Sequence, residues 1–199
     1  RNVPIYQTTS FVFDNTEHAK RLFNLQDFGF IYSRLTNPTV SVLEERVASI
    51  EKSRAAVACS SGHAAQQLAF IPLLNNGDHF ISSNKLYGGS INQFSKTFKR
   101  FGWNCDFVEP DNLSNFENSI RDNTKFIFIE TLSNPDGSIV DIEKVSKIAK
   151  KNHIPLIVDN TLATPYLHNP IDWGANVITH SLTKFICGHG TSMGGIVVD

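Results

Sequence analysis

Cysteine is scarce in this chain, and no stretch concentrates charge of one sign. Cys59, Cys105 and Cys187 are odd in number and have no CxxC spacing. That excludes a disulfide framework and leaves reduced thiols of a cytoplasmic protein as the plain reading. No basic block reaches about five residues, and the formal net charge is −1, so there is no electrostatic case for nucleic acid or an anionic membrane as partner. No apolar run approaches the roughly 18 residues of a membrane-spanning helix. The opening "RNVPIYQTTS" holds no secretory apolar stretch, and Arg1 is not an initiator methionine, so upstream sequence is expected. The seven histidines form no HExxH or comparable cluster, and no metal site is expected. Neither an internal repeat nor a low-complexity segment is visible.

What is present is alternation. Short apolar or β-branched runs recur at "AAVAC" 55–59, "HFISS" 79–83, "CDFVE" 105–109, "KFIFIE" 125–130, "PLIVDN" 155–160, "NVITHS" 176–181 and "GGIVVD" 194–199. Most are apolar on both alternating positions, as strands covered on both faces must be. Helix-like stretches lie between several of them. "SGHAAQQLAFIPLL" opens with Ser61 as a candidate N-cap; "GGSINQFSKTFKRFG" spaces Phe94, Phe98 and Phe101 before Gly102 as a stop; "DIEKVSKIAKKNH" puts Ile142, Val145, Ile148 and Ala149 on one face. This pattern predicts an α/β domain over residues 55–199 with a mostly parallel, seven-stranded sheet. Residues 1–54 read as an arm, extended and irregular, with a turn at Asn37-Pro38 and an amphipathic helix over "VSVLEERVASIEKSR". Such an arm reaches a neighbouring subunit in some folds.

The motif that resembles a dinucleotide loop, "GHGTSMGG" 188–195, is set aside because its glycines lead into a strand rather than from a strand into a helix. A different constellation surrounds Lys184, which follows a run read as a buried strand. Burying an ammonium is costly unless it is paired or used, and a lysine amine can form a Schiff base with an aldehyde cofactor. Pyridoxal phosphate also needs a carboxylate at its pyridine nitrogen, donors for its phosphate and a flat surface against its ring. Asp159 ends the strand "PLIVD"; "SSGHAA" 60–65 runs from a strand into a helix N-terminus suited to phosphate. Ser181 and Thr183 bring hydroxyls beside Lys184, and Tyr87 precedes two glycines. Each has a plain alternative: Asp159 as a turn cap, Ser61 as a helix cap only, Tyr87 as core, Lys184 as a surface lysine reaching solvent.

Taken together, "YSRLTNPT", "SSGHAAQ", "LYGGSINQF", "ETLSNP", "IPLIVDNTLATPYL" and "HSLTKFICGHG" resemble the Cys/Met-metabolism family of pyridoxal-phosphate enzymes, over the whole chain. The resemblance implies an aspartate-aminotransferase-like fold (fold type I), whose large domain carries helices on both sheet faces. Within the family, "LYGGSINQF" and "SSGHAAQ" look most like the O-acetylhomoserine sulfhydrylases; cystathionine γ-synthases and methionine γ-lyases share the rest. The implied reaction is γ-replacement on O-acetyl-L-homoserine with sulfide or a thiol, giving homocysteine or methionine plus acetate.

The resemblance also implies roles. Lys184 would carry the cofactor covalently, Asp159 would pair with the pyridine nitrogen, and Tyr87 would stack on the ring and help activate the substrate amine. Ser61, the Gly62 and His63 amides, and the Ser181 and Thr183 hydroxyls would hold the phosphate. Asn134 would lie near the ring hydroxyl, while Tyr32 and Arg34 would reach the cofactor of an adjacent subunit in a homo-oligomer, a dimer of dimers. Family members are about twice as long, so the small C-terminal domain and its substrate-binding arginine are expected to be absent here. A non-catalytic remnant therefore stays open as a reading.

Overall fold

The seven apolar runs form the seven strands of one sheet in the computed structural model, which describes residues 3–199. They are β1 (Ala56–Cys59), β2 (His79–Ser83), β3 (Asn104–Val108), β4 (Thr124–Glu130), β5 (Leu156–Asp159), β6 (Val177–His180) and β7 (Gly195–Val198). The sheet order is β1-β7-β6-β5-β4-β2-β3. Strand β7 runs antiparallel to both β1 and β6, and the other pairings are parallel. The sheet is therefore mostly parallel, and the glycines of 188–195 do lead into a strand.

Alternation along the buried strands sorts side chains onto two faces. Ile81, Ile127, Ile129, Leu156 and Val158 meet Val145, Ile148 and Ala149 of α6 (Ile142–Lys151) on one face. Phe80, Phe126, Phe128 and Ile157 point the other way, onto α3 (Gly62–Phe70) and the helical stretch after it. Phe70 is the hub there, with the rings of Phe80, Phe94, Phe98, Phe126 and Phe128 all centred within 5.5 Å of its own. Such aromatic pairs add to the area they bury.

The stretch after β2 departs from the expected single helix. It begins as α4 (Gly88–Asn92), widens into a π-helical turn over Gln93–Thr97 and tightens to a 3₁₀ turn over Phe98–Phe101. Phe94 and Phe98 are buried and Phe101 is half exposed; Gly102 stops the helix at φ 75°, as read from the sequence. Short helices α5 (Ser114–Asn118) and α7 (Thr164–Leu167) complete the β3–β4 and β5–β6 connections.

Packing divides the chain into two units, one running to Arg46 and one spanning Val47–Asp199. The smaller unit holds α1 (Thr16–Phe23), which the sequence reading passed over although Asn15 caps it, its Oδ1 accepting from His18 N at 2.9 Å. Helix α2 (Pro38–Ile50) starts where a turn was expected. Proline suits the first helical position, and Asn37 Oδ1 accepts from Thr39 N at 2.9 Å. The division falls inside α2, since Val47 packs with Ile178, Leu182, Ile196 and Val198 of the larger unit.

Candidate active site

Parallel strands leave a crevice beyond their carboxyl ends. In this chain the ends of β4, β5 and β6 open onto a cavity of about 380 Å³ within the larger unit. Ser61, Gly62, His63, Tyr87, Asn134 and Asp159 line it, and so do Ser181, Thr183 and Lys184. Nine of the eleven expected site residues thus converge on one space. The other two, Tyr32 and Arg34, belong to the smaller unit, where the Arg34 guanidinium carbon stands 5.5 Å from the Tyr32 ring centroid.

Asp159 is buried at the strand end and also caps the turn that follows, the plain alternative for it. Its Oδ1 accepts from Thr161 N and its Oδ2 from Thr179 Oγ1, both at 3.0 Å. Two good donors hold the side chain in place and leave the group facing the cavity.

Lys184 differs from expectation. It lies in a turn after β6, its N–H donating to Ser181 O at 3.2 Å, and its residue surface is exposed, so the cost of burying an ammonium does not arise in this chain. Its Nζ makes no ion pair or hydrogen bond among the described residues. Its side chain thus stands on the cavity wall with no anion beside it.

The N-terminus of α3 faces the same space. Ser61 is extended and its Oγ accepts from Ala64 N at 3.2 Å, which leaves the Gly62 and His63 N–H groups at the open helix end. Glycine is required at 62: a Cβ there would stand 2.7 Å from Ser181 Cβ. That close approach sets Ser181 beside the helix end. The Ser181 hydroxyl has no partner among the described residues. The Thr183 hydroxyl does: it donates to Gly194 O at 3.2 Å and accepts from Gly194 N at 3.1 Å. Gln66, buried below, donates to Ser90 Oγ at 2.8 Å and leaves its Oε1 orphaned.

Tyr87 starts α4 with its ring half exposed, so it is not core. Its ring centroid lies 5.9 Å from that of His63. Of the two glycines after it, Gly89 is the one closely approached: a Cβ there would fall 2.4 Å from Tyr87 Cε1 and 2.8 Å from the His63 ring, so both rings would have to shift. Gly88 has open space.

Glu130 is the residue sequence reasoning missed. It closes β4 as Asp159 closes β5, and the two are Cα partners in the ladder. Glu130 is buried; its Oε1 accepts from Tyr87 N at 2.9 Å and its Oε2 from Asn134 N at 3.4 Å. Burial, then the negative Asp159, push its carboxyl up to about 8 against the pull of those two N–H groups. The signal was available: "KFIFIE" ends on a carboxylate just as "PLIVD" does.

The model of the family described as "Cys/Met metabolism PLP-dependent enzyme" matches residues 1–199. The chain belongs to that family. This family member is 49% identical over its whole length to the O-acetyl-L-homoserine sulfhydrylase of Leptospira meyeri and 51% identical to the homocysteine/cysteine synthase of Saccharomyces cerevisiae. It spans 45% of each, so the chain covers less than half the length of these relatives. A crystal structure of an O-acetylhomoserine (thiol)-lyase from Campylobacter jejuni, containing pyridoxyl-lysine phosphate, superposes with a TM-score of 0.96 at 47% identity, over 99% of this chain and 48% of that one. The metB product of Corynebacterium glutamicum superposes at 0.91 with 38% identity, over 99% of this chain and 49% of that one. The large domain is thus of the pyridoxal-phosphate fold type I. The cavity fits that cofactor: a lysine side chain without an ionic partner, a buried carboxylate, an open helix N-terminus with a spare hydroxyl, and an aromatic ring surround one space.

Proposed function

We propose that the polypeptide carrying this chain exchanges the acetate of O-acetyl-L-homoserine for sulfide or a thiol, giving homocysteine or methionine. One observation carries this reading. An unpaired lysine amine, a buried aspartate and a helix N-terminus converge on one cavity, in a chain 49% and 51% identical to proteins named for that chemistry.

In this reading Lys184 holds the cofactor, Asp159 meets its pyridine nitrogen, and Tyr87 covers the ring with Asn134 at the ring hydroxyl. Ser61, Gly62, His63, Ser181 and Thr183 surround the phosphate, with Thr183 acting from a hydroxyl already engaged by Gly194. Bound pyridoxal phosphate supplies an aldehyde carbon for the substrate amine and a ring that accepts electron density. Asp159, held by Thr161 and Thr179, favours a protonated nitrogen at its free edge. Lys184, with the substrate amine in its place on the cofactor, would take the α-proton as a neutral amine, hand it to the electron-rich cofactor and, neutral again, take a β-proton, so that acetate could leave from Cγ with the C–O electron pair. After sulfide adds at Cγ, Lys184 returns the protons.

Tyr32 and Arg34, exposed at the surface of the smaller unit, are assigned to the phosphate of a neighbouring subunit in a homo-oligomer built as a dimer of dimers. No helix among the described residues is long and apolar enough to cross a membrane, and the cytoplasm is the proposed compartment.

The test uses the full-length protein with pyridoxal phosphate and O-acetyl-L-homoserine. Acetate and a new thiol should appear in equal amounts and only when sulfide is supplied. Acetate accompanied by a keto acid without sulfide would overturn the reading in favour of a γ-lyase.

A further inference from the structure

Tyr87 and Asn134 come from different connections, one after β2 and one after β4. Among the described residues neither side chain makes a hydrogen bond, and Tyr87, the residue before α4, does not cap that helix with its side chain. Yet both main chains end on the same carboxyl group. Glu130 Oε1 takes the Tyr87 N–H at 2.9 Å, and Glu130 Oε2 takes the Asn134 N–H at 3.4 Å. The group that joins them is itself fixed. It closes a seven-residue strand buried at nearly every position, and it stands in register beside Asp159.

Burying a carboxyl next to a second carboxyl is unfavourable, and an apolar residue at that strand end would be cheaper. A site that keeps one there obtains something that only two acceptor oxygens on one rigid stem provide. That something is a bridge between two loops.

We propose that Glu130 is the positioning residue of the cavity, whose two carboxyl oxygens tie the Tyr87 and Asn134 main chains to the β4 end and so fix both side chains relative to Asp159. The inference rests on the reading of the cavity as the pyridoxal-phosphate site, and it concerns how tightly and how rigidly that cofactor is held. Glu130 acts through its neighbours; the reacting atoms are left to Lys184 and Asp159.

Glu130→Gln in the full-length protein is the test, read above about pH 8 where the wild-type carboxyl is ionised, because the amide keeps the volume but offers one acceptor oxygen where two were used. Three quantities are read: pyridoxal-phosphate affinity by equilibrium dialysis, the visible circular dichroism of the bound cofactor, and thermal unfolding of the cofactor-free protein. Losing one buried N–H acceptor should weaken cofactor affinity about tenfold and reduce the dichroism per bound cofactor. The cofactor-free melting temperature should hold or rise, since a buried acid has been neutralised. Wild-type affinity and dichroism in Glu130→Gln would overturn the proposal. So would a large drop in the cofactor-free melting temperature, which would make Glu130 a fold residue only. A double-mutant cycle with Tyr87→Ala separates the route of action. The Glu130→Gln effect should shrink when Tyr87 is already gone, and strictly additive losses would overturn the coupling. If the wild-type protein itself fails to bind the cofactor at Lys184, the site reading fails instead, and the two failures are distinguishable.

Discussion

Glu130 and Asp159 end adjacent parallel strands as Cα partners, so two carboxyls face one cavity from neighbouring positions. Their hydrogen-bond partners divide the labour. Asp159 is held by a backbone N–H and a threonine hydroxyl from its own strand end and from β6. Glu130 is held by the N–H groups of two loops. Burial, then the proximity of Asp159, push the Glu130 carboxyl up to about 8.

The first prediction concerns stability against pH. A folded carboxyl at about 8 lies above its unfolded value, so the folded chain keeps a proton that the unfolded chain has released. Glu130 therefore favours folding at low pH. Its contribution is lost as pH rises from the ordinary carboxylate range through about 8, and the loss levels off above that. Exposed Asp136 adds a weaker push in the same direction. Urea unfolding midpoints between about pH 5 and about pH 9 should fall less steeply in Glu130→Gln than in the wild type. Identical slopes would mean that Glu130 titrates as an ordinary surface acid.

The second prediction is chemical. With pyridoxal phosphate added and borohydride used to reduce the link, mass spectrometry should locate the cofactor adduct on the peptide containing Lys184. Lys85 and Lys125 are the useful controls, because both are engaged in ion pairs with carboxylates. An adduct on either one, or none at all, would remove the central assignment.

The third prediction is Asp159→Asn. The amide keeps the shape and can still receive the Thr161 N–H, but it no longer stabilises a protonated nitrogen. Turnover should fall about 10²–10³-fold, while the reduced adduct still forms at Lys184. Near-wild-type turnover would make Asp159 a fixture of the strand end.

The fourth prediction tests the shared site. Mixing Arg34→Ala subunits with Lys184→Ala subunits should restore a measurable fraction of activity in mixed oligomers, because one subunit then supplies the arginine and another the lysine to an intact site. No recovery after demonstrated subunit exchange would put Arg34 outside any neighbour's site.

The sequence alone determined the strands, the two-faced burial and most of the cavity, for a local reason. A strand covered on both faces tends to be apolar at successive positions, so β4 and β5, with the runs Phe126–Ile129 and Leu156–Val158, announced themselves without any tertiary information. Gly62, Ser61 and Asp159 sit where strands end, and strand ends in a parallel sheet gather on one edge. Tertiary structure decided what depends on a second chain segment. The Phe98–Phe101 turn is tight where its rings meet Phe70 and Trp103, contacts that no spacing within the helix encodes. Thr183 gave its hydroxyl to Gly194, eleven residues away across the turn before β7. Glu130 became a bridge only when the loops after β2 and β4 came together, since its two partners are separated by the whole β3 excursion. A carboxylate's type is written in the chain, but its proton affinity is set by the low-dielectric wall and the neighbouring charge that folding places around it.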